Sequence, residues 1–389
     1  MRIVDIREIS VPLKGNVSNA LVNFSEHTVS LVAVFSDVVR NGKPVVGVAF
    51  NSIGRFAQRG LLHERFIPRI LKCTPESLLE SDGRTFSAKA IFRAAMTNEK
   101  PGGHGDRATA VAALELAIWD LNAKLADEPA YVTIARATGR PAQTRAKPVY
   151  AAGGYYYPED SLNRLRSELQ AYRDLGFVDF KIKIGGASLE EDLKRIHMAL
   201  EISEGGEHLA VDANGRFDLQ TALAYADAIA PLALRWYEEV GDPLDFRLNA
   251  EIASRYRGAI ATGENLFSTI DTVNLMRFGG MRPGLDVFQM EAGLSYGLTE
   301  YMATLNELEA HGFSREQVQP HGGHLINLHI ATGLELGGCE VYPGVFQPFG
   351  GYSAACMVSE GYAMPTQAPG FGLEEKPGLS EAIAELIKR

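Results

Sequence analysis

The feature that most constrains the fold is a repeated alternation of short apolar segments with longer amphipathic ones. It starts near residue 145, and each repeat joins a β-branched or apolar run to a helix-length stretch through a polar or Gly-rich junction. Such a repeat predicts one strand and one helix per unit. The candidate strands lie at residues 148–153, 179–185, 208–215, 235–240, 258–264, 286–293, 317–323 and 339–344. Eight units favour a barrel whose short last interval shortens or distorts its final unit.

The residues before 145 follow a different pattern. Alternating apolar positions predict antiparallel strands at 2–9, 29–39 and 43–50, and helical periodicity predicts helices at 61–73, 75–81, 87–96 and 106–126. We therefore expect an α/β protein with three parts: an α+β capping domain over 1–145, a modified TIM-like (β/α)7β barrel over 146–345, and a C-terminal segment over 346–389. The C-terminal segment is expected to pack on the capping domain and complete it.

The charge balance restricts the class of partner. Asp and Glu number 48 against 38 Lys and Arg, which gives a net charge of −10. A negative chain repels nucleic acid and anionic membrane surfaces, so a small polar substrate is the expected partner. The charged start of the chain and the lack of a long apolar run predict a cytoplasmic protein. The three widely spaced cysteines predict neither a disulfide framework nor a zinc site.

Three carboxylates recur at one interval. Asp212, Glu238 and Glu264 follow one another at spacings of 26 residues, each near the end of a candidate strand. Singly, such residues are often helix caps. One unit apart, they are expected at the same height on neighbouring strands, where they would repel one another unless a cation lay between them. Oxygen ligands without Cys or His favour Mg²⁺, with Mn²⁺ as an alternative.

Other polar side chains are expected at the same end of the barrel. Lys181 and Lys183 share one face of their strand, although a lysine pair alone is more typical of a solvated edge. His321, near the end of the seventh strand, could act as a general acid with Glu291 holding its other ring nitrogen; the alternatives are a structural histidine or a metal pair with His324. Asn214 could orient substrate or a metal-bound water, or simply belong to a turn.

These residues lie in longer motifs. The motifs occupy 181–186, 211–217, 236–243, 261–268, 294–297 and 320–324, with further matches at 98–105 and 151–158. Together they resemble the mandelate racemase branch of the enolase superfamily, and within it they are most similar to the D-tartrate dehydratases. The resemblance implies that the three carboxylates bind one Mg²⁺, that Lys183 is the base, that Lys181 supports the substrate carboxylate and that His321 protonates the departing hydroxyl.

The resemblance also implies contacts to the rest of the substrate, from Asn19, Lys100, Tyr155 and Glu340. The sequence departs from the family pattern at four positions: Ile53 replaces an expected Asn, Glu291 replaces an expected Asp, and Leu21 and Asn23 alter the loop beside Asn19. An Ile cannot hydrogen-bond a hydroxyl or a carboxylate, so we expect a changed substrate preference.

The expected activity is Mg²⁺-dependent dehydration of a small hydroxy-diacid or acid sugar. The α-proton is removed, the enediolate is stabilised and the β-hydroxyl is eliminated, which yields a 2-oxo acid. One alternative is a racemase or epimerase of an α-hydroxy acid. Another is a non-catalytic metabolite-binding protein. The resemblance also implies a homo-oligomer.

Overall fold

A three-stranded antiparallel sheet begins the chain in the computed structural model, which describes residues 1–142, 145–157 and 159–388. The sheet order is β1-β2-β3, with β1 at Ile3–Pro12, β2 at Thr28–Arg40 and β3 at Lys43–Phe50. The helices that follow are α1 (Arg59–Leu61), α2 (Ile67–Leu71), α3 (Ala88–Ala95), α4 (Asp106–Ala126) and α5 (Ala130–Ala137), with a π-helical turn at Leu62–Phe66 between α1 and α2. This confirms the α+β character predicted for the capping part.

Close contact between β3 and α4 holds the capping sheet in place. Residues Ala108 to Ala123 of α4 are buried, and so is the run Val29 to Phe35 of β2. Gly47 of β3 makes the approach possible, because a Cβ there would lie 2.1 Å from the backbone oxygen of Ala117. The apolar residues of the capping part are therefore packed between its sheet and α4, and they join the apolar core of the barrel.

Parallel strands and intervening helices form the barrel. The strands are β4 (Lys147–Gly153), β5 (Asp179–Lys183), β6 (Leu209–Asp212), β7 (Tyr237–Glu238), β8 (Ile260–Thr262), β9 (Val287–Phe288) and β10 (Cys339–Val341), paired in the order β10-β4-β5-β6-β7-β8-β9. The helices are α6 (Ser161–Asp174), α7 (Leu189–Ser203), α8 (Leu219–Ile229), α9 (Phe246–Arg255), α10 (Thr269–Phe278), α11 (Leu298–Ala310) and α12 (Leu325–Leu334). The curled parallel sheet confirms the expected barrel class.

The segment 317–323 is not the regular strand that the sequence predicts. It makes one parallel bridge, between Phe288 and Val318, and Gln319 N donates to Phe288 O at 2.9 Å. On its other side, Glu340 N donates to Pro320 O at 3.3 Å. Pro320 has no N–H to donate, and Gly322 adopts a φ of +113°, so the ladder is irregular there, although His321 N still donates to Gln289 O at 3.3 Å and Tyr342 N to Gly323 O at 3.1 Å. The segment still lies between β9 and β10 and closes the barrel.

The C-terminal segment returns to the capping sheet. A short strand, β11 (Tyr362–Ala363), pairs antiparallel with β4, and helix α13 (Pro377–Lys388) packs against β1 and β2. The final residue of the sequence and the last residue of the motif at 151–158 lie outside the described residues. Within the described ranges, no helix combines the length and apolar character needed to cross a membrane.

Asp120 links its own helix, α4, to β3 and to the C-terminal segment. Its carboxylate accepts hydrogen bonds from Val48 N and Phe371 N, both at 2.7 Å, and its Oδ2 pairs with Lys124 Nζ at 2.6 Å. Asp120→Ala is expected to lower the free energy of unfolding in urea by about 3 kcal/mol, because buried donors lose their acceptor. The control is Glu201→Ala, which breaks a surface pair with Arg166 and should cost under about 1 kcal/mol. Equal losses in both variants would contradict the prediction.

Candidate active site

A cavity of about 310 Å³ lies between the capping part and the carboxyl ends of the barrel strands. The capping part lines it with Asn19, Leu21, Ile53 and Arg55, among others. From the barrel come Tyr155, Lys183, Asn214, Glu264, His321 and Tyr342. The cavity is therefore shared between the two parts of the chain, and its volume suits a small ligand.

The three carboxylates predicted to bind metal converge beside this cavity, and Glu264 is part of its lining. One oxygen from each of Asp212, Glu238 and Glu264 lies within 4.8 Å of the other two. Their heights differ from the prediction: Asp212 pairs with Glu238, but Glu238 pairs with Ala261, so Glu264 lies three residues further along. Glu264 comes after β8 has ended, and its side chain reaches the other two from the loop.

The donor set fits a hard divalent cation. All three side chains offer oxygen, and Glu264 Oε2 is buried without a hydrogen bond from any described residue. Burial and repulsion from Asp212 raise the pKa of Glu238 to about 8. A cation between the three groups would offset that repulsion, so the arrangement has the composition and the charge of a metal site.

Both lysines point into the barrel. Lys181 Nζ forms ion pairs with Glu238 and, at 2.7 Å, with Glu340 Oε1, while Lys183 Nζ donates to Asp212 Oδ2 at 2.5 Å. Burial and the neighbouring Lys181 act to lower the pKa of Lys183, but the Asp212 carboxylate outweighs them and the net pKa is raised. A divalent cation on Asp212 would weaken this attraction.

His321 is held from both sides of its ring. Nδ1 lies 3.1 Å from Glu291 Oε2, as the sequence predicts, and Nε2 lies 2.9 Å from the Tyr342 hydroxyl. Burial acts to lower the pKa of His321, but Glu264 and Glu291 raise it to about 10. A protonated ring at neutral pH suits a proton donor.

Glu291 also forms a hydrogen bond with the neighbouring His324. His324 Nε2 lies 2.9 Å from Glu291 Oε1, and Ser52 Oγ donates to Glu291 Oε2 at 2.7 Å. Burial acts to raise the pKa of Glu291, but the hydrogen bonds with His321 and His324 lower it to about 2. The two histidines thus share a carboxylate and do not converge on a metal position.

Three of the predicted substrate contacts line the cavity. Asn214 both faces it and forms a turn, since its φ is +49° and its backbone N donates to Asp212 Oδ1 at 2.8 Å. Tyr155 is buried there, with Lys183 Nζ lying 5.5 Å from its ring centroid. Asn19 also lines the cavity, but its side-chain oxygen already accepts hydrogen bonds from Leu21 N and Val22 N.

Lys100 and Glu340 occupy other places than expected. Lys100 is exposed and does not line the cavity, because Arg107 binds its backbone oxygen at 2.9 Å and holds its loop. Glu340 lies fully buried below the cavity, paired with Lys181 and accepting a hydrogen bond from Gly322 N at 2.9 Å. In this conformation neither side chain lines the cavity, and Glu340 forms an ion pair with Lys181.

Two residues that line the cavity, Tyr342 and Arg55, were not predicted from the sequence. Tyr342 lies two positions after Glu340, so strand alternation could have placed both on the inward face. Arg55 gave no such signal, because it lies in a loop of the capping part and meets Asn265 only in the folded chain.

Comparison with known proteins agrees with this architecture. Residues 164–378, more than half of the chain, match the family described as enolase C-terminal domain-like. The chain is 26% identical to arabinonate dehydratase of Saccharolobus solfataricus, over 72% of this chain and 73% of that protein. It is 25% identical to L-talarate/galactarate dehydratase of Salmonella typhimurium, over 84% of this chain and 77% of that protein.

A solved structure supports the fold. The crystal structure of a racemase from Streptomyces coelicolor with bound magnesium superposes with a TM-score of 0.77 at 21% identity, and covers 98% of both chains. That likeness extends through the capping part as well as the barrel. Because the family match spans more than half of its length, the chain belongs to the enolase/mandelate racemase superfamily.

Proposed function

We propose that the protein is a Mg²⁺-dependent dehydratase of a small hydroxy-diacid or acid sugar, with D-tartrate as the first substrate to test. One observation carries the proposal: Lys183, the proposed base, and His321, the proposed acid, line one cavity beside three carboxylates. Lys183 enters from β5 and His321 from the segment between β9 and β10, so they approach a ligand from non-adjacent strands.

The first step is removal of the hydrogen on the carbon next to the substrate carboxylate. Lys183 takes this proton in its neutral form, and the electron pair of the C–H bond moves onto the carboxylate. Mg²⁺ held by Asp212, Glu238 and Glu264 would supply positive charge where that negative charge develops. Lys181, fixed by Glu238 and Glu340, adds a second fixed cation on the same side.

The second step is loss of the β-hydroxyl. The electron pair returns to form a carbon–carbon double bond, the carbon–oxygen bond breaks, and His321 Nε2 gives its proton so that water leaves. Glu291 binds Nδ1 at 3.1 Å and stabilises the charged ring before the transfer. The resulting enol becomes a 2-oxo acid by tautomerisation, so atoms and charge balance without any oxidant.

The relatives support this reaction class. Two of them are named as dehydratases of sugar acids or sugar diacids, and the neighbouring racemase structure contains magnesium. We extend a dehydratase reaction and Mg²⁺ to this chain because its own residues provide the base, the acid and the carboxylates. The tartrate assignment rests on the sequence motifs.

Incubation with a panel of hydroxy-diacids and acid sugars tests the proposal. We expect a 2-oxo acid, trapped as its hydrazone, from D-tartrate or a related diacid; EDTA should abolish it and Mg²⁺ should restore it. Exchange of the α-hydrogen with D₂O without a 2-oxo acid would replace the proposal with racemisation or epimerisation. Saturable binding with neither reaction would instead indicate a non-catalytic metabolite-binding protein.

A further inference from the structure

Arg55 presents a cation to the cavity from the capping part. It lies in the loop after β3 and is partly buried at the cavity wall. Its guanidinium donates to Asn265 Oδ1 and lies 4.8 Å from the centroid of the Phe267 ring. These two contacts hold the group against the barrel and restrict its position before any ligand arrives.

The charge of Arg55 is not neutralised by the described protein. The other cations that line the cavity have carboxylate partners: Lys183 pairs with Asp212, and His321 pairs with Glu291 and Glu264. No carboxylate of a described residue lies within 4.0 Å of the Arg55 guanidinium nitrogens. Among the described residues, Arg55 is thus the cation lining the cavity that has no carboxylate partner.

The Asn265 side chain links Arg55 to a buried acid. The side-chain oxygen of Asn265 faces Arg55, and its Nδ2 donates to Glu239 Oε1 at 2.6 Å. The amide therefore bridges the guanidinium and the carboxylate, which form no ion pair with each other. An arginine kept available in this way suits an incoming carboxylate, which a guanidinium can bind through two parallel hydrogen bonds.

We propose that Arg55 binds the second, non-reacting carboxylate of the substrate and so selects dicarboxylates over monocarboxylates. This inference rests on the proposed function, in which the first carboxylate faces Lys181 and the metal position. Ile53 supports the assignment, because its buried apolar side chain offers no hydrogen bond to a distal hydroxyl. Charge recognition by Arg55 then remains the strongest discriminating contact from the capping part.

Binding of two matched acids tests Arg55 without requiring turnover. Malate and 2-hydroxybutyrate share a four-carbon skeleton and a 2-hydroxycarboxylate, and differ in a terminal carboxylate against a methyl group. With Mg²⁺ present, calorimetry should show malate binding the wild-type protein at least about 10-fold more tightly, since a charge-assisted pair contributes that much. In Arg55→Met the preference should fall below about 3-fold, and Arg55→Lys should be intermediate.

Two control variants make the result decisive. Arg257→Met removes an exposed arginine before β8, at the opposite end of the barrel, and should keep the wild-type preference. Lys100→Met tests whether the neighbouring loop supplies the cation instead. An unchanged malate preference in Arg55→Met, its loss only in Lys100→Met, or its absence in the wild type would overturn the inference. Failure of all diacids to react, with this preference intact, would overturn only the proposed dehydration.

Discussion

Lys183→Met should reduce the rate of 2-oxo acid formation at least about 10³-fold while leaving Mg²⁺ bound, because it removes the proposed base and none of the proposed metal ligands. Methionine keeps most of the length of the side chain within the buried barrel. Lys183 Nζ now pairs with Asp212 at 2.5 Å, so the variant should bind Mg²⁺ as tightly as the wild type or more tightly. Steady-state kinetics and calorimetric titration with Mg²⁺ measure the two effects separately.

The control for this prediction is Lys194→Met, on the exposed surface of α7, where Lys194 pairs with Glu190. Its activity should stay within about 2-fold of wild type, because exposed pairs contribute little. If Lys183→Met retained more than a tenth of the wild-type rate, proton abstraction would have to be assigned to another group.

Glu238→Gln should weaken Mg²⁺ binding at least about 100-fold and reduce activity in parallel, since it removes one ligand charge from the centre of the triad. Glutamine has nearly the same shape as glutamate, so the packing around the site is kept. Glu238 also pairs with Lys181, so the same substitution weakens an ion pair as well as removing a charged metal ligand. Activity at saturating Mg²⁺ and calorimetric affinity are the measurements.

Glu239→Gln gives a matched comparison at the next position. Glu239 is also buried, but it bonds to Asn265 and is not one of the three converging carboxylates. Its substitution should weaken Mg²⁺ binding much less than that of Glu238. A larger loss of affinity in Glu239→Gln would show that the metal ligands have been assigned wrongly.

The fold was accessible from the sequence because the strand–helix alternation is local. Burial on both faces makes each barrel strand a short apolar run, and the helices between them show their amphipathic period. Strand lengths were harder to predict. The strands β7 and β9 span only Tyr237–Glu238 and Val287–Phe288, although the sequence predicted longer strands there. At 317–323, Pro320 and the two glycines that follow His321 make the hydrogen-bond ladder irregular.

The height of Glu264 relative to the other two carboxylates was also not predictable from the sequence. A constant interval along the chain identifies the strand to which a residue belongs, but not its height, because the chain can leave a strand earlier or later. Gly263 has a φ of +124°, and a Cβ there would lie 2.6 Å from the sulfur of Met290. This left-handed glycine ends β8 and carries Glu264 into the loop, from which it still reaches the other carboxylates.

Contacts between the capping part and the barrel were the least predictable features of the site. Arg55 and Asn265 are separated by 210 positions in the chain, and neither belongs to a periodic segment. The position of Lys100 depends in the same way on Arg107 and on the loop that Arg107 holds. The raised pKa of Lys183 could not be predicted from the sequence either, because it depends on how close Lys183 lies to the Asp212 carboxylate in the folded chain.

The central claim is that Lys183 exchanges the α-hydrogen of the substrate, and His321→Asn in D₂O tests it most directly. Loss of the proposed acid should block elimination, while Lys183, whose ammonium hydrogens exchange with solvent, returns deuterium to the α-carbon. Proton NMR of D-tartrate, or of the diacid that the wild type dehydrates, should show the α-hydrogen signal disappearing with His321→Asn and persisting with the double variant that also carries Lys183→Met. Equal exchange in both variants, or none with His321→Asn, would contradict the account.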